Sequence, residues 1–274
     1  MDWNGRVALV TGASSGIGLA VARAVVARGG RAGLVARSRD KLAAAVRELG
    51  TDRAEAFPVD VTDRDALAGL PRAVVARFGR LDVVVNNAGV NHRGDVRRRS
   101  AGELAEILDT NLVAPVLLTH AALAHLPPGG VVVNVASLAG KVPVPHEAAY
   151  SGSKAGLRAF ARALRFELAD EGRGVRVCTV CPGPVDTAFF GDLREVPDLV
   201  FSQPMSSAEQ VADVVVRAIE RGPAEVDIPA ASGKLATLGY LLPRLFAALR
   251  PALERRGARS KGRYLARRGV GVRA

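Results

Sequence analysis

Seven short apolar runs alternate with stretches of helical periodicity, and this order constrains the fold more than any other feature of the sequence. Several runs are almost continuous Val, Leu and Ala, a pattern typical of strands that are buried on both faces of a parallel sheet. The candidate strands are 6–11, 31–36, 54–59, 81–86, 130–136, 175–181 and 225–228. The candidate helices between them are roughly 16–28, 39–48, 63–77, 101–125, 149–170 and 207–221. The alternation predicts an α/β fold, with a doubly wound parallel sheet and helices on both of its faces.

No long linker divides the first 234 residues, so we expect one α/β domain over 1–234 and a C-terminal extension over 235–274. Residues that favour helix ends occur at several boundaries within the domain. We expect Thr62 with Asp65 to cap one helix start and Ser38 to cap another. Gly172, closely followed by Gly174, is expected to end the candidate helix 149–170.

The net charge of +11 is concentrated at the C-terminal end of the chain. Residues 244–274 hold ten Lys and Arg and one acid, which gives +9 and leaves +2 for the rest of the chain. A nearly neutral body argues against a nucleic-acid-binding protein. The first residues do not resemble a signal peptide and no run of 18 apolar residues occurs, so we expect a cytoplasmic protein.

Cys178 and Cys181 are the two cysteines of the chain, at a spacing that redox and metal sites also use. They fall in a strand-like run, where residues three apart point to opposite faces of a sheet. No second cysteine pair is available to complete a zinc site. We therefore interpret both as small core residues and predict no metal site.

A glycine-rich turn over 11–18 joins the first candidate strand to the first candidate helix. Gly12 permits a tight turn, Gly16 lets the backbone approach a pyrophosphate, and Gly18 allows the helix to pack closely on the strand. A helix N-terminus also favours an anion. A turn without a ligand is the alternative, but the strand before it and the helix after it favour a dinucleotide-binding loop. Its candidate residues are Gly12, Ser14, Ser15, Gly16, Ile17 and Gly18.

Arg37, at the end of the second candidate strand, bears on which dinucleotide is bound. NAD-binding loops usually place an acid here to bond the ribose 2′-hydroxyl, and none occurs over 34–38. Arg37 can instead pair with a 2′-phosphate, assisted by nearby serine hydroxyls. We predict a preference for NADP(H). Two alternatives remain open: Arg37 is a solvated surface charge, or the cofactor is NAD(H) with Asp40 as its ribose ligand.

Two more strand ends carry residues that suit a dinucleotide. Asp60 and Val61 follow the third candidate strand, and Asp60 can accept a hydrogen bond from an adenine amino group. Small residues at the end of the fourth strand leave room for a ribose. These residues are Asn86, Asn87, Ala88 and Gly89. Because ligands of open α/β sheets bind beyond the carboxyl ends of the strands, all of these positions should converge.

Tyr150 and Lys154 lie four residues apart at the start of a candidate helix and therefore share one face. A nearby ammonium stabilises a phenolate and lowers the phenol pKa from its usual value of about 10. Such a tyrosine can exchange a proton with a carbonyl/alcohol pair. Ser137, just past the fifth candidate strand, can polarise the same oxygen. Asn111, an amide in an apolar helical stretch, either holds a water linked to Lys154 or makes a structural hydrogen bond.

Taken in order, these motifs resemble those of the short-chain dehydrogenase/reductase family over roughly residues 5–190. The resemblance rests on the glycine loop, Asp60, the 86–89 turn, the Tyr150-x-x-x-Lys154 pair with Ser137 and Asn111, and Pro182-Gly183-x-x-x-Thr187. It implies a Rossmann fold with a seven-stranded parallel sheet and an oxidoreductase that acts on CH–OH donors.

The resemblance also assigns roles to particular residues. It implies a catalytic tetrad of Asn111, Ser137, Tyr150 and Lys154, in which Lys154 additionally binds the nicotinamide ribose. It implies that four residues after the sixth candidate strand face the nicotinamide: Pro182, Gly183, Val185 and Thr187. It further implies a homodimer or homotetramer built through the candidate helices 101–125 and 149–170. Ser15 departs from the pattern, because NADP-dependent members usually carry a basic residue there.

The segments 91–96, 138–149 and 189–203 are expected to surround a substrate. Their prominent side chains are Val142, Val144, His146, Phe189, Phe190, Leu193, Val200 and Phe201. A largely apolar lining favours a lipophilic carbonyl compound or secondary alcohol.

The segment 235–249 is strongly apolar, is interrupted by Pro243 and is too short to span a bilayer. An Arg-rich stretch follows it. One interpretation places this tail on a membrane surface, with the basic residues attracted to anionic lipid. The other is that the tail covers the substrate cleft or a partner subunit.

A protein of another class would fit part of the same pattern. A catalytically silent NADP(H)-binding sensor or scaffold needs the glycine loop and Arg37, but it has no need of Ser137. The complete set of Ser137, Tyr150 and Lys154 therefore favours the enzyme.

Overall fold

A computed structural model describes residues 2–268, and its centre is one seven-stranded sheet in which every neighbouring pair is parallel. The strand order is β3-β2-β1-β4-β5-β6-β7. The strands are β1 Val7–Thr11, β2 Arg31–Ala36, β3 Ala54–Pro58, β4 Val83–Asn86, β5 Val131–Val135, β6 Arg176–Pro182 and β7 Glu225–Ile228. The doubly wound Rossmann fold that the sequence predicts is therefore confirmed. The chain changes direction across the sheet between β1 and β4, and such a switch point is where open α/β sheets bind ligands.

Nine α-helices connect or follow the strands in the part of the chain that the structure describes. They are α1 Gly16–Ala27, α2 Arg39–Leu49, α3 Arg64–Phe78, α4 Ala101–Leu108, α5 Ala114–Leu123, α6 Ala148–Asp170, α7 Ala208–Arg221, α8 Ala230–Leu241 and α9 Pro243–Arg267. None of these described helices is long and apolar enough to cross a lipid bilayer.

Alternate residues of the strands pack into two hydrophobic cores, one on each face of the sheet. Val10 and Val133 pack with α1 and α7, whereas Leu9 and Val132 pack with α3, α5 and α6. Burial on both faces explains why the strands are nearly continuous apolar runs rather than alternating ones. The same alternation separates the two cysteines: both are free and buried, and they join different core clusters.

Two features of the helices differ from the sequence-based expectation. The predicted helix 101–125 is interrupted by one π-helical turn over Asp109–Val113, which periodicity alone does not reveal. The helix after β3 is capped by Asp63, whose side chain accepts from the Ala66 N–H, so the predicted Thr62–Asp65 cap is wrong. Ser38 caps α2 as expected, and α6 ends just before Gly172, which has a φ of +65°.

The C-terminal segment forms two helices that the sequence-based assignment does not contain. Glycines in α8 weaken the helical signal, and Pro243 sits at the first turn of α9, where proline is tolerated. The last residues of the predicted extension, 269–274, lie outside the described part of the chain.

Helix α9 packs on the segment Asp198–Ser202 through a close backbone approach at Gly257. A Cβ added to Gly257 would lie 1.8 Å from the carbonyl oxygen of Asp198. Nearby, the ring of Tyr264 lies 5.7 Å from that of Phe201, and Lys261 donates to the carbonyl of Val196 at 2.6 Å. This helix therefore holds the loop that follows β6.

Replacing Gly257 by Ala is expected to lower the free energy of unfolding by about 1–3 kcal/mol, because overpacking against a backbone cannot relax cheaply. The matched change is Gly262→Ala in the same helix, where an added Cβ meets nothing within 4 Å. That variant should be more stable by up to about 1 kcal/mol, since alanine favours a helix over glycine. Urea unfolding followed by circular dichroism measures both, and equal stability of the two variants would contradict the packing described.

Candidate active site

One large cavity, of about 840 Å³, runs along the carboxyl edge of the sheet. It extends from Arg37, at the end of β2, to Phe246 and Leu253 of α9. Seventeen of the predicted cofactor-binding residues, including Tyr150 and Lys154, and the predicted catalytic Ser137 contribute to its wall. The others are Gly12, Ser14, Ser15, Gly16, Ile17, Arg37, Asp60, Val61, Asn87, Ala88, Gly89, Pro182, Gly183, Val185 and Thr187, which completes a set of eighteen with Ser137. Gly18 and Asn111 lie outside the wall.

The glycine loop has the backbone geometry that a dinucleotide requires. Gly12 and Gly16 have φ values of +65° and +53°, which residues with a side chain rarely adopt. A Cβ on Gly18 would lie 2.4 Å from the Gly12 carbonyl oxygen, so Gly18 serves the packing of α1 rather than the cavity. Ser15 is the N-cap residue of α1, and its hydroxyl makes no capping hydrogen bond. The helix N-terminus therefore opens into the cavity as an anion site.

Threonine and asparagine side chains tie the end of β1 to the end of β4. The Thr11 hydroxyl accepts from the N–H groups of Asn87 and Ala88, both at 2.9 Å. The Asn87 amide donates to the Thr11 carbonyl at 2.9 Å. These bonds hold the small residues of the 87–89 turn against the glycine loop. Asn86 is buried instead, and donates to Asn134 at 2.8 Å inside the core.

Arg37 lies at the far end of the cavity with two-thirds of its side chain exposed. Its guanidinium is 3.9 Å from a carboxylate oxygen of Asp60 and 3.9 Å from one of Glu106, so both ion pairs are loose. Lys41, in the first turn of α2, also lines this end of the cavity. The sequence analysis does not name Lys41. A basic residue four positions after Arg37 was nevertheless a signal for a second positive charge near a 2′-phosphate.

Asp60 lies in the cavity wall but already has partners of its own. One carboxylate oxygen accepts from the backbone N–H of Thr62 at 3.0 Å and from its hydroxyl at 2.8 Å. Burial alone would raise the pKa of Asp60, but these two hydrogen bonds and the charge of Arg37 outweigh it and lower that pKa. The carboxylate is therefore ionised at neutral pH.

Ser137, Tyr150 and Lys154 meet at the middle of the cavity. The Ser137 hydroxyl accepts from the Ala139 N–H at 3.1 Å and donates to the Pro182 carbonyl at 3.4 Å. The Lys154 ammonium is buried, donates to the carbonyl of Val135 at 2.9 Å and lies 5.8 Å from the centre of the Tyr150 ring. The three side chains come from the end of β5 and the first two turns of α6.

The pKa values of this pair correct one sequence-based expectation. Burial raises the pKa of Tyr150 to about 12, and the negative charge of Glu147 acts in the same direction, whereas Ser137 and Arg93 act against it. Burial also lowers the pKa of Lys154 to about 8. The sequence analysis predicts that the Lys154 ammonium lowers the pKa of the Tyr150 phenol. Lys154 does not do so here, because its ammonium is held at a backbone carbonyl and is itself destabilised by burial.

Asn111 is fully buried in the π-helical turn, beside rather than inside the cavity. Its amide oxygen accepts from the Val90 N–H at 2.9 Å, and its amide nitrogen donates to the Val90 carbonyl at 2.9 Å. The same nitrogen lies 3.3 Å from the Ser153 hydroxyl. These contacts match the structural alternative that the sequence left open. These contacts fix the backbone of Val90, which follows Gly89 next to Lys154.

A buried ion pair that sequence reasoning missed borders the substrate end of the cavity. Arg93 donates to Glu147 at 2.7 Å and to the carbonyl of Phe190 at 2.9 Å, and both charged side chains are less than one-tenth exposed. The guanidinium also lies over the rings of Phe189 and Phe190. The pair joins three loops around Tyr150. Neither residue belongs to a motif, and only the folded chain brings them together.

The expected apolar lining is present in part. Of the eight residues named from the sequence, five line the cavity: Val142, Val144, Phe189, Phe190 and Val200. Phe201 packs on Tyr264 instead, and His146 is exposed. Residues of α8 and α9 complete the wall: Ala231, Ser232, Leu235, Ala236, Phe246, Leu253 and Arg256.

Cys181, Glu225 and Asp227 place three possible metal ligands within 4.8 Å of one another. The Lys141 ammonium already lies 2.7 Å from both carboxylates. Burial raises the pKa of the Cys181 thiol to about 12, so the thiolate that a metal needs is disfavoured. The charged members of the cluster form an ion-pair network between Lys141 and the two carboxylates of β7.

The family model described as "short chain dehydrogenase" matches residues 6–198, which hold every motif discussed above. The chain belongs to the short-chain dehydrogenase family. The ketoacyl reductase HetN of Nostoc is 38% identical over 229 residues, which cover 81% of this chain and 78% of that relative. Human 15-hydroxyprostaglandin dehydrogenase [NAD(+)] is 35% identical over 204 residues, covering 71% of this chain and 74% of the human one.

A solved short-chain dehydrogenase from Burkholderia cenocepacia, in complex with NADP, superposes with a TM-score of 0.75 at 29% identity. The match covers 83% of this chain and 97% of the other. These matches show the family, and they support carbonyl/alcohol oxidoreductase chemistry with a nicotinamide dinucleotide cofactor. The relatives include an NAD(+)-dependent enzyme and an NADP complex, so they leave the choice between the two cofactors open.

Proposed function

We propose that this short-chain dehydrogenase is an NADP(H)-dependent oxidoreductase that interconverts a carbonyl and a secondary alcohol on a lipophilic small molecule. The observation that carries the proposal is the single cavity that joins the glycine loop, Arg37 and the Ser137–Tyr150–Lys154 group. The domain organisation is part of the proposal: residues 1–234 form the catalytic unit and 235–274 an extension.

The cofactor would lie along the carboxyl edge of the sheet. The N-terminus of α1 would hold its pyrophosphate, Asp60 and Val61 its adenine, and Lys154 its nicotinamide ribose. Four residues after β6 would face the nicotinamide: Pro182, Gly183, Val185 and Thr187. When bound, NADP(H) supplies or accepts the hydride at the substrate carbon.

The residues of the chain itself handle the proton. In the reductive direction, the phenol of Tyr150 gives its proton to the carbonyl oxygen as the carbon gains hydride, and the oxygen becomes a hydroxyl. A pKa of about 12 keeps Tyr150 protonated and ready for this step at neutral pH. The Ser137 hydroxyl donates a hydrogen bond to the same oxygen and polarises it. Asn111 is a positioning residue, because it fixes the backbone of Val90 next to Gly89 and Lys154.

Three features support NADP(H) over NAD(H). No acid occupies the end of β2, and the loosely paired guanidinium of Arg37 faces the cavity there. Lys41 adds a second positive charge at the same end. The hydroxyls of Ser14 and Ser15 also line the cavity and can donate hydrogen bonds to a 2′-phosphate.

Replacing Arg37 by Ala should lower kcat/KM for NADPH by about tenfold to a hundredfold while leaving that for NADH nearly unchanged, because a charge-assisted hydrogen bond contributes about 1.5–3 kcal/mol. Arg39→Ala, two residues further on at an exposed position outside the cavity, is the matched control. Steady-state kinetics with both cofactors measures the ratio. An unchanged ratio in Arg37→Ala would refute the NADP(H) assignment.

The substrate is proposed to be lipophilic because the wall beyond Tyr150 is mainly apolar. Val142, Val144 and Phe189 line it from the loops, and Leu235 and Phe246 from the C-terminal helices. A homo-oligomer is also proposed. The large exposed apolar side chains of Leu108 and Phe166 lie on α4 and α6, the helices expected to meet a second copy.

Replacing Tyr150 by Phe should reduce NADPH-dependent turnover by about 10²–10⁴, which is the usual contribution of a general acid. A panel of steroid, quinone, 3-oxoacyl and aldehyde substrates, followed by NADPH oxidation, supplies the assay. The dissociation constant of NADPH, measured by fluorescence, should stay within about threefold of the original. If the unaltered protein binds NADPH but turns over no member of the panel, the catalytically silent sensor is the better account.

A further inference from the structure

An apolar patch lies on the outer side of the C-terminal helices. Eleven large apolar side chains are exposed in the described part of the chain, and seven of them fall within residues 235–249. We call six of these the leucine patch: Leu235, Leu238, Leu241, Leu242, Leu245 and Leu249. Each is between 46% and 67% exposed. Such a concentration of exposed leucines on one short segment marks an interaction surface.

The leucine patch is continuous with the wall of the cavity. Leu242, Phe246, Leu249 and Leu253 recur at spacings of four, three and four residues and so share one side of α9. Phe246 and Leu253 line the cavity, whereas Leu242 and Leu249 are exposed. Leu235 does both, since it lines the cavity and is 46% exposed. The leucine patch therefore adjoins the apolar part of the cavity wall.

Basic side chains lie on α9, the helix that also carries part of the leucine patch. The described part of α9 with Arg268 carries nine Lys and Arg and one acid, Glu254. Arg244, Arg255 and Arg259 make no ion pair with any residue between 2 and 268. Exposed leucines beside unpaired arginines are the combination that lies on an anionic bilayer, with the apolar side chains among the acyl chains and the guanidinium groups at the lipid phosphates.

We propose that the leucine patch and the arginines of α9 dock this protein on the surface of an anionic lipid bilayer, from which an apolar substrate enters the cavity. The docking step stands on the surface alone. The entry step rests on the proposed function, because it assumes that the cavity takes a lipophilic substrate.

The charge of the surface favours lipid over a second copy of the chain. A symmetric contact through this face would bring two sets of unpaired arginines together, which costs free energy, whereas an anionic bilayer neutralises them. A separate pair of exposed apolar residues, Leu108 and Phe166, is available on α4 and α6 for contact between copies. The bend at Pro243 and the lack of a spanning helix among residues 2–268 fit attachment at the surface rather than insertion.

Flotation with vesicles tests the docking step on the full chain. We expect the protein to float with vesicles of phosphatidylcholine and phosphatidylglycerol in a 7:3 ratio, and at least tenfold less with phosphatidylcholine alone. The triple variant Leu241→Ser, Leu245→Ser, Leu249→Ser changes exposed residues outside the cavity wall and should float at least tenfold less. NADPH binding, measured by fluorescence, verifies that this variant is folded.

Two arginine variants separate a local effect from net charge. The triple variant Arg244→Gln, Arg255→Gln, Arg259→Gln should also lose at least tenfold in flotation. The matched control removes the same charge elsewhere, at three exposed arginines without ion partners among the described residues: Arg47, Arg64 and Arg72. It should float like the original protein. Equal losses in both arginine variants, or full flotation of the leucine variant, would overturn the proposal.

Two further results keep this proposal distinct from the proposed function. If the original protein does not float and the leucine variant loses mass by light scattering, the patch is a contact between copies and lipid docking is wrong. If the protein floats but reduces no carbonyl compound, whether water-soluble or carried in the vesicles, docking stands and the proposed function fails. Selective loss of reduction of vesicle-borne substrate in the leucine variant supports the entry step.

Discussion

The rest of the site is arranged around the hydrogen bond from the buried Lys154 ammonium to the Val135 carbonyl. A charge held away from water is expensive, and burial lowers its pKa to about 8. The carbonyl at the end of β5 accepts a hydrogen bond from the ammonium, and a Cβ on Gly140 would lie 2.7 Å from the backbone of Lys154. The lysine is thus fixed between strand and helix, where the cofactor ribose and the Tyr150 phenol would meet.

The carboxyl edge of a parallel sheet explains why motifs far apart in sequence meet at this lysine. The glycine loop follows β1, the 87–89 turn follows β4, Ser137 follows β5 and Pro182 ends β6. The carboxyl ends of parallel strands lie at the same edge of the sheet, so these four segments meet there although they are far apart in the sequence. The Thr11 hydroxyl accepts from the Asn87 N–H and the Asn111 amide oxygen accepts from the Val90 N–H, and these bonds hold the backbone of residues 87–90 in place.

Much of this could be predicted from the sequence because local patterns encode it. Buried strands are recognisable in the sequence as apolar runs, and the predicted strand ends agree with the observed ones to within two residues. The roles of Gly12 and Gly18 follow from backbone geometry alone. The π-helical turn at Asn111 could not be predicted, since it repeats almost like an α-helix. The Arg93–Glu147 pair could not be predicted either, because its partners are 54 residues apart and only tertiary packing joins them. The raised pKa of Tyr150 depends on burial, which spacing does not report.

The C-terminal helices line the cavity, as one of the two interpretations that the sequence left open predicts. One side of α9 holds the loop after β6 and closes the cavity, while its first turns expose leucine. The same apolar stripe therefore serves as cavity wall and as outer surface. Under the proposed docking, the surface that meets the bilayer would adjoin the cavity that binds the substrate.

The pH dependence of kcat/KM for carbonyl reduction by NADPH tests the role of the buried Lys154–Tyr150 pair most directly, because this parameter reports the ionisation of groups in the free enzyme. The protonated forms are the active ones for reduction: Tyr150 keeps its proton up to about pH 12, and Lys154 keeps its charge up to about pH 8. The profile should therefore be level between about pH 6 and 7 and fall as the pH rises through about 8. A profile that stays level to pH 10, or that rises through pH 8, would contradict the account.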